Sequence, residues 1–130
     1  FLYCGVQHPL FGTDNTAMTW DDVRRHPFAG LGYHSPNMDI SQQVRLVRKA
    51  TGYDQESIAT LILSGQFLGF LPDHYAHGFV QSGQMRAVQP VLFRYDCTFF
   101  SIVRRSPQPT RVTRAFEECL IAAHAGRQCP

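Results

Sequence analysis

The pattern of apolar and polar positions is organised around one stretch, Thr51 to His74. Ile58, Leu61 and Ile62 fall on one helical stripe, Asp54 stands where an N-cap is needed, and Gly65 stands where a left-handed residue ends a helix. The pattern predicts a helix with a start, a buried face and a stop. Gln66 to Leu71 is a short apolar run closed by Pro72, which cannot continue a ladder, so it predicts a buried strand. Asp73 is placed to cap a second helix, in which Tyr75, Phe79 and Val80 recur at helical spacing before Gly83. A strand running back antiparallel to the first helix brings the loops at Asp54 and Pro72 to one end of the unit, where ligands of open α/β folds gather.

The flanking chain reads as further alternation of strands and helices. Phe1–Gly5 predicts a buried strand, and Pro9 forces an extended or turn conformation on His8. Thr19 and Asp22 resemble a capping box for a short helix that ends at Pro27. Phe28–Tyr33 predicts a brief strand whose Gly30 and Gly32 suit close approach of backbone or ligand. His34–Ser41 reads as loop with room for little more than a turn. Gln43–Ala50 shows an imperfect strand alternation, with Val44, Leu46 and Arg48 in one phase. Met85–Val88 is a short strand, Pro90–Asp96 is irregular, and Cys97–Val103 is a strongly apolar strand. After the rigid linker Ser106–Pro109, Thr110 caps a last helix with Val112, Phe116, Cys119, Leu120 and Ala123 on one stripe and Gly126 at its end. That face requires a partner. The whole pattern favours an α/β fold.

Composition narrows the function. A length of 130 residues with 44% hydrophobic positions suits one domain or part of one. A formal net charge of +2 with 17% charged residues falls short of the electrostatic footprint that nucleic acid demands. No apolar run reaches the length of a membrane span. Phe1 already lies in strand pattern, so the native N-terminus is expected upstream. Cys4, Cys97, Cys119 and Cys129 form no C-x-x-C pair, which favours a reducing compartment over a disulfide framework.

His74 and His77 beside Asp73 lack a third ligand at a set distance, and a helix start with both imidazoles at the surface accounts for them equally. Cys4 and Cys97 have apolar neighbours that raise a thiol pKa, the reverse of what a nucleophile needs. The glycines of Gly30-Leu31-Gly32 do not complete a dinucleotide fingerprint, and no phosphate-binding loop is present. What recurs is recognition equipment: helix N-termini at Asp54 and Asp73, loops at Gly52 and Pro72, and polar tips on Thr51 and Tyr53. Exposed N–H groups and a positive dipole end suit a small carboxylate. The same features fit the ordinary loops of an α/β layer, and spacing does not separate the two readings.

Taken in order, Leu2-Tyr3-Cys4-Gly5 with His8-Pro9-Leu10-Phe11, Ala50-Thr51-Gly52-Tyr53-Asp54-Gln55-Glu56 before Ile58-Ala59-Thr60-Leu61, Leu63-Ser64-Gly65, Gly69-Phe70-Leu71-Pro72-Asp73-His74 and the closing Arg104-Arg105-Ser106 helix region resemble the LysR-type transcriptional regulators. The resemblance covers nearly the whole chain. It implies an α/β, periplasmic-binding-protein-like (type II) lobe, a mixed sheet flanked by helices, with the first lobe incomplete. Residues 1–6 would be a crossover strand acting as hinge, 7–96 the second lobe, and 97–130 the return strand and C-terminal helix belonging to the first lobe. A helix-turn-helix DNA-binding domain would lie outside this chain.

The implied function is effector sensing, with lobe closure around a small molecule shifting a DNA-bound regulator between states. By position, the resemblance implies an effector wall of Cys4, Gly5, Gly30, Leu31, Thr51, Gly52, Tyr53, Asp54, Leu71, Pro72 and Thr98. It implies no catalytic residue, no cofactor and no metal, a cytoplasmic location, no membrane, and a homo-oligomer, dimer or tetramer, in the intact protein. The family's helix between the Phe28 strand and the strand before Thr51 is longer than His34–Ser41 allows, which puts the dimer contacts in doubt. Two other readings stay open. A fragment of a solute-binding receptor of the same fold would be marked by an upstream signal peptide. A small enzyme using Asp73 and His74 would need a polar pair in hydrogen-bond reach beside Pro72.

Overall fold

A helix lies close to a sheet only where the strands beneath it carry little side-chain bulk, and here two glycines provide that. The computed structural model describes residues 1–125. Its elements are β1 (Leu2–Gly5), α1 (Trp20–Val23), β2 (Phe28–Leu31), α2 (Pro36–Gln43), β3 (Arg48–Gly52), α3 (Gln55–Leu63), β4 (Leu68–Phe70), α4 (Asp73–Gln81), β5 (Met85–Ala87) and α5 (Arg111–His124). A Cβ on Gly69 would crowd Ile58 and Ile62 of α3, and one on Gly5 would collide with the Ile62 carbonyl oxygen. Their absence lets α3 press Ile58, Ala59 and Ile62 onto the strands.

The chain forms two compact units, Phe1–Cys97 and the residues from Thr98 onward. In the first, five strands make one sheet in the order β3-β2-β4-β1-β5. β2 is parallel to β3 and β4, whereas β1 is antiparallel to β4 and β5. Alternation along each strand divides the core. One face gathers Leu2, Cys4, Phe28, Leu68, Phe70 and Val88 with Val23 and Phe93. The other gathers Tyr3, Ala29, Leu31, Leu71 and Met85 under Ile58, Ile62 and Ala76, so α3 and α4 share it. Register places Leu31 beside Gly52 and Leu2 beside Phe70, and the Leu71 N–H donates to the Phe1 carbonyl at 3.2 Å. One edge of the sheet therefore carries Gly52, Leu31, Leu71 and Phe1, and α2, α3 and α4 all begin beside it; we call this edge the rim.

The expected helix at Asp54 forms as α3, with the Asp54 carboxylate accepting the Ser57 N–H at 2.7 Å. It stops at Gly65, whose φ of 73° lies in the left-handed region and whose missing side chain makes room for Gln7. The His8-Pro9-Leu10-Phe11 segment is a turn: His8 Nδ1 accepts the Leu10 N–H at 3.1 Å and the His8 carbonyl accepts from Phe11 at 2.9 Å. Thr19 donates through both its N–H and its hydroxyl to Asp22 Oδ2, at 3.0 and 2.8 Å.

Four expectations are corrected. His34–Ser41 holds the greater part of α2, because Ser35 accepts the Met38 N–H at 3.4 Å and Pro36 at the first helical position is pre-set for a helix. The strand expected at Gln43–Ala50 is displaced to β3, Arg48–Gly52, since α2 runs through Gln43 and Arg45 turns with φ 55°. The N-cap of α4 is Pro72, and Asp73 is its first helical residue. Cys97–Val103 forms no strand, for it finds no strand to pair with among the described residues, and Phe99, Phe100 and Ile102 are exposed.

In the second unit, Thr110 caps α5 by accepting the Thr113 N–H at 3.2 Å. No residue of α5 is buried; Val112 and Phe116 of its apolar stripe are exposed, and so is Ile121. Gly126, the expected helix stop, lies outside the described residues.

A Gly65→Ala chain should lose about 1–2 kcal/mol in urea unfolding, from the left-handed conformation, with the Gln7 contact adding to that; unchanged stability would contradict the assignment. Burial, aided by the neighbouring His26, holds the His8 pKa down at about 4 from its ordinary 6.5. The unfolded chain then takes up a proton that the fold refuses, so stability should be full above pH 6.5 and fall between about 6.5 and about 4. Urea titrations across that range should show a shallower slope in His8→Asn, whose side-chain oxygen can still accept from Leu10; an unchanged slope would count against His8 as its source.

Candidate ligand-binding rim

The rim is built from backbone ends. Parallel β2, β3 and β4 all terminate there, and each is followed by a helix whose first N–H groups face the same edge. The α3 start is the best ordered of these. Gly52 is buried against Ser57 and Ile58, Asp54 caps the helix, and its bonds to Ser57 hold its carboxyl below the usual range. Thr51 is exposed, and the Tyr53 ring, 72% exposed, passes where a side chain on Gly32 would sit. Leu71 is buried in the core and turns its backbone to Phe1, while Pro72 opens α4.

Of the expected effector wall, the sheet brings together Leu31, Thr51, Gly52, Tyr53, Asp54, Leu71 and Pro72 at this rim. Gly30 lies one residue inward, the place of its missing side chain taken by the Phe28 ring and the Arg48 stem, whose nearest atoms would be 2.8 and 3.1 Å from an added Cβ. Cys4 and Gly5 do not join them. Gly5 pairs with Met85 at the opposite edge, under the last turn of α3, and Cys4 is buried in the core beside it in sequence. Because β1 runs antiparallel to β4, the residue it brings to the rim is Phe1. Thr98 is exposed in the second unit.

Several rim groups escaped the sequence reading. Arg48 reaches the end of β2 and donates to the Leu31 carbonyl at 3.1 Å; its place in the apolar phase of Val44 and Leu46 was the available signal. Asn37 of α2 is buried with both amide atoms unpaired, as is Gln55 Oε1 at the start of α3. Tyr95 packs edge-on against Phe70 with ring centroids 5.2 Å apart. Burial raises its hydroxyl pKa, and the adjacent Asn37 side chain opposes that rise without reaching hydrogen-bond geometry.

An open hollow of about 400 Å³ lies elsewhere, between the Leu10–Met18 loop and α1. Its carboxylates are already engaged, Asp14 with Thr16 and Asp22 with Thr19 and Arg25, which leaves the rim as the stronger candidate. Burial pushes the Cys4 thiol up to about 11, so it is not poised as a nucleophile. Among the described residues no three His, Cys, Asp or Glu side chains are set to hold a metal, and no helix is long and apolar enough to cross a membrane. His74 and His77 are both exposed.

A mixed α/β lobe that presents strand ends and helix starts along one edge has the architecture in which ligands of open α/β folds are held. The chain belongs to the LysR substrate binding domain family, whose profile matches residues 1–125. It is therefore an effector-binding module of the periplasmic-binding-protein-like class, a regulatory family rather than a class of enzymes. It is 31% identical over 119 residues to the HTH-type transcriptional activator BauR of Pseudomonas aeruginosa, a match covering 92% of this chain and 39% of that protein. The chain thus spans about two fifths of the length of that relative.

Proposed function

We propose that this module is one jaw of an interlobe cleft in a LysR-type DNA-binding regulator, and that a small carboxylate is its effector. The observation that carries this reading is the convergence of the β2, β3 and β4 ends with the starts of α2, α3 and α4 on one rim. Residues 1–6 would then serve as a hinge, 7–96 as the second lobe, and 97–130 as the segment that returns to the first. The unpaired apolar run at Phe99, Phe100 and Ile102 supports this division, as does an amphipathic α5 with nothing buried: each is what an opposing lobe would cover.

Closure acts on DNA through differential affinity, for an effector shifts the regulator only as far as it binds one arrangement better than the other. The DNA contacts, the assembly into a dimer or tetramer and a cytoplasmic location belong to the intact protein. This chain's modest charge is in keeping with a separate DNA-reading domain.

The product of the complete reading frame should bind duplex DNA from the region upstream of its own gene. In gel-shift titrations that affinity should fall as salt rises, as phosphate contacts require. A complete sequence without a basic helix-turn-helix segment, or an intact protein that leaves such DNA unshifted at low salt, would overturn the proposal.

A further inference from the structure

The three helix starts at the rim differ in what already occupies them. Asp54 seats its carboxylate on the first turn of α3, and Asp73 accepts the His74 N–H at 2.7 Å at the start of α4. A carboxylate ligand at either place would face a carboxylate already there. The start of α2 is different. Its cap is the neutral Ser35 hydroxyl, in a long 3.4 Å bond, and the nearby Asp39 is engaged with His34 at 3.6 Å.

Two further groups stand on that side of the rim. Asn37, at the second position of α2, is 2% exposed, and its Oδ1 and Nδ2 both lack a partner. Buried amides left in that state are rare, because burying a polar atom without a partner is costly. The Tyr95 hydroxyl lies beside it. Arg48 lays its stem over Gly30 on the face that holds Phe28, and its guanidinium reaches the Leu31 carbonyl at the end of β2. Among the described residues it makes no ion pair, so most of its donor fork is open.

We infer that this corner, made by the α2 N-terminus, Asn37 and Arg48, is the subsite that takes the carboxylate of the effector. Arg48, exposed on the open side, supplies the charge and the fork geometry that a carboxylate matches. Asn37 Nδ2, which has no partner in the ligand-free chain, donates to the inner oxygen as the ligand enters. The aligned N–H groups of α2 add their dipole. The subsite rests on the sensing function proposed above and moves the anion away from the Asp54 loop, leaving Thr51 and Tyr53 to contact the rest of the effector.

The test uses the intact regulator and matched pairs of small acids and their amides: propionate and propionamide, butyrate and butyramide, benzoate and benzamide. Thermal unfolding is followed against each. At least one carboxylate should raise the midpoint temperature while its amide does not. Arg48→Gln and Asn37→Leu should each weaken that response about tenfold or more, with gel-shift binding of DNA without effector unchanged. Arg48 is exposed, so its variant tests the subsite even if Asn37→Leu folds poorly. Amides equal to acids, no response to any carboxylate, or a response retained in Arg48→Gln would each overturn the subsite. A response retained in Arg48→Gln but lost in Tyr53→Ala would leave the sensing function standing, whereas failure to bind DNA at all removes that function itself.

Discussion

The close seating of α3 on β1 and β4 is the contact on which the rest depends. Gly5 and Gly69 remove the bulk that would hold the helix away, and Ile58 and Ile62 fill the space from above. Once α3 lies there, its polarity is no longer free. Asp54 must stand at the ends of β2, β3 and β4, and Gly65 must turn the chain at the far edge to start β4. The rim is thus a consequence of core packing. Its loops can vary in chemistry without moving, because the helix that carries them is fixed by buried isoleucines.

The parts legible in the sequence were those governed by local chemistry. Asp54 as cap, Gly65 as left-handed stop and the apolar stripe of α3 each follow from interactions within a few residues, and all hold in the fold. Where contacts between distant segments decide, the sequence misled. His34–Ser41 read as loop, yet α2 begins within it at Pro36, since proline ends a helix from within but suits its first turn. Cys97–Val103 has the composition of a strand, yet a strand exists only beside a partner. The resemblance put Cys4 and Gly5 on the effector wall, whereas the antiparallel pairing of β1 with β4 brings Phe1 to the rim. Arg48 and Asn37 carried no motif, and that the one reaches the end of β2 while the other is buried without a partner depends on how the distant segments pack.

The rim also has an uneven electrostatic character. Two of its helix starts are occupied by the chain's own carboxylates, Asp54 and Asp73, while the third is capped by the Ser35 hydroxyl, and the Arg48 guanidinium reaches the end of the strand before it. The exposed apolar run and helix beyond Cys97 fit a lobe built to be completed by another.

The central claim is that ligand meets this chain along the rim. Hydrogen–deuterium exchange of the intact regulator, with and without a carboxylate that stabilises it, addresses that directly. Exchange should slow across Gly32–Met38 and Thr51–Ser57 while the far edge, around Gly5–Gln7 and Ser64–Gln66, stays unchanged. Protection confined to that far edge, or to the hollow between Leu10 and His26, would contradict the account.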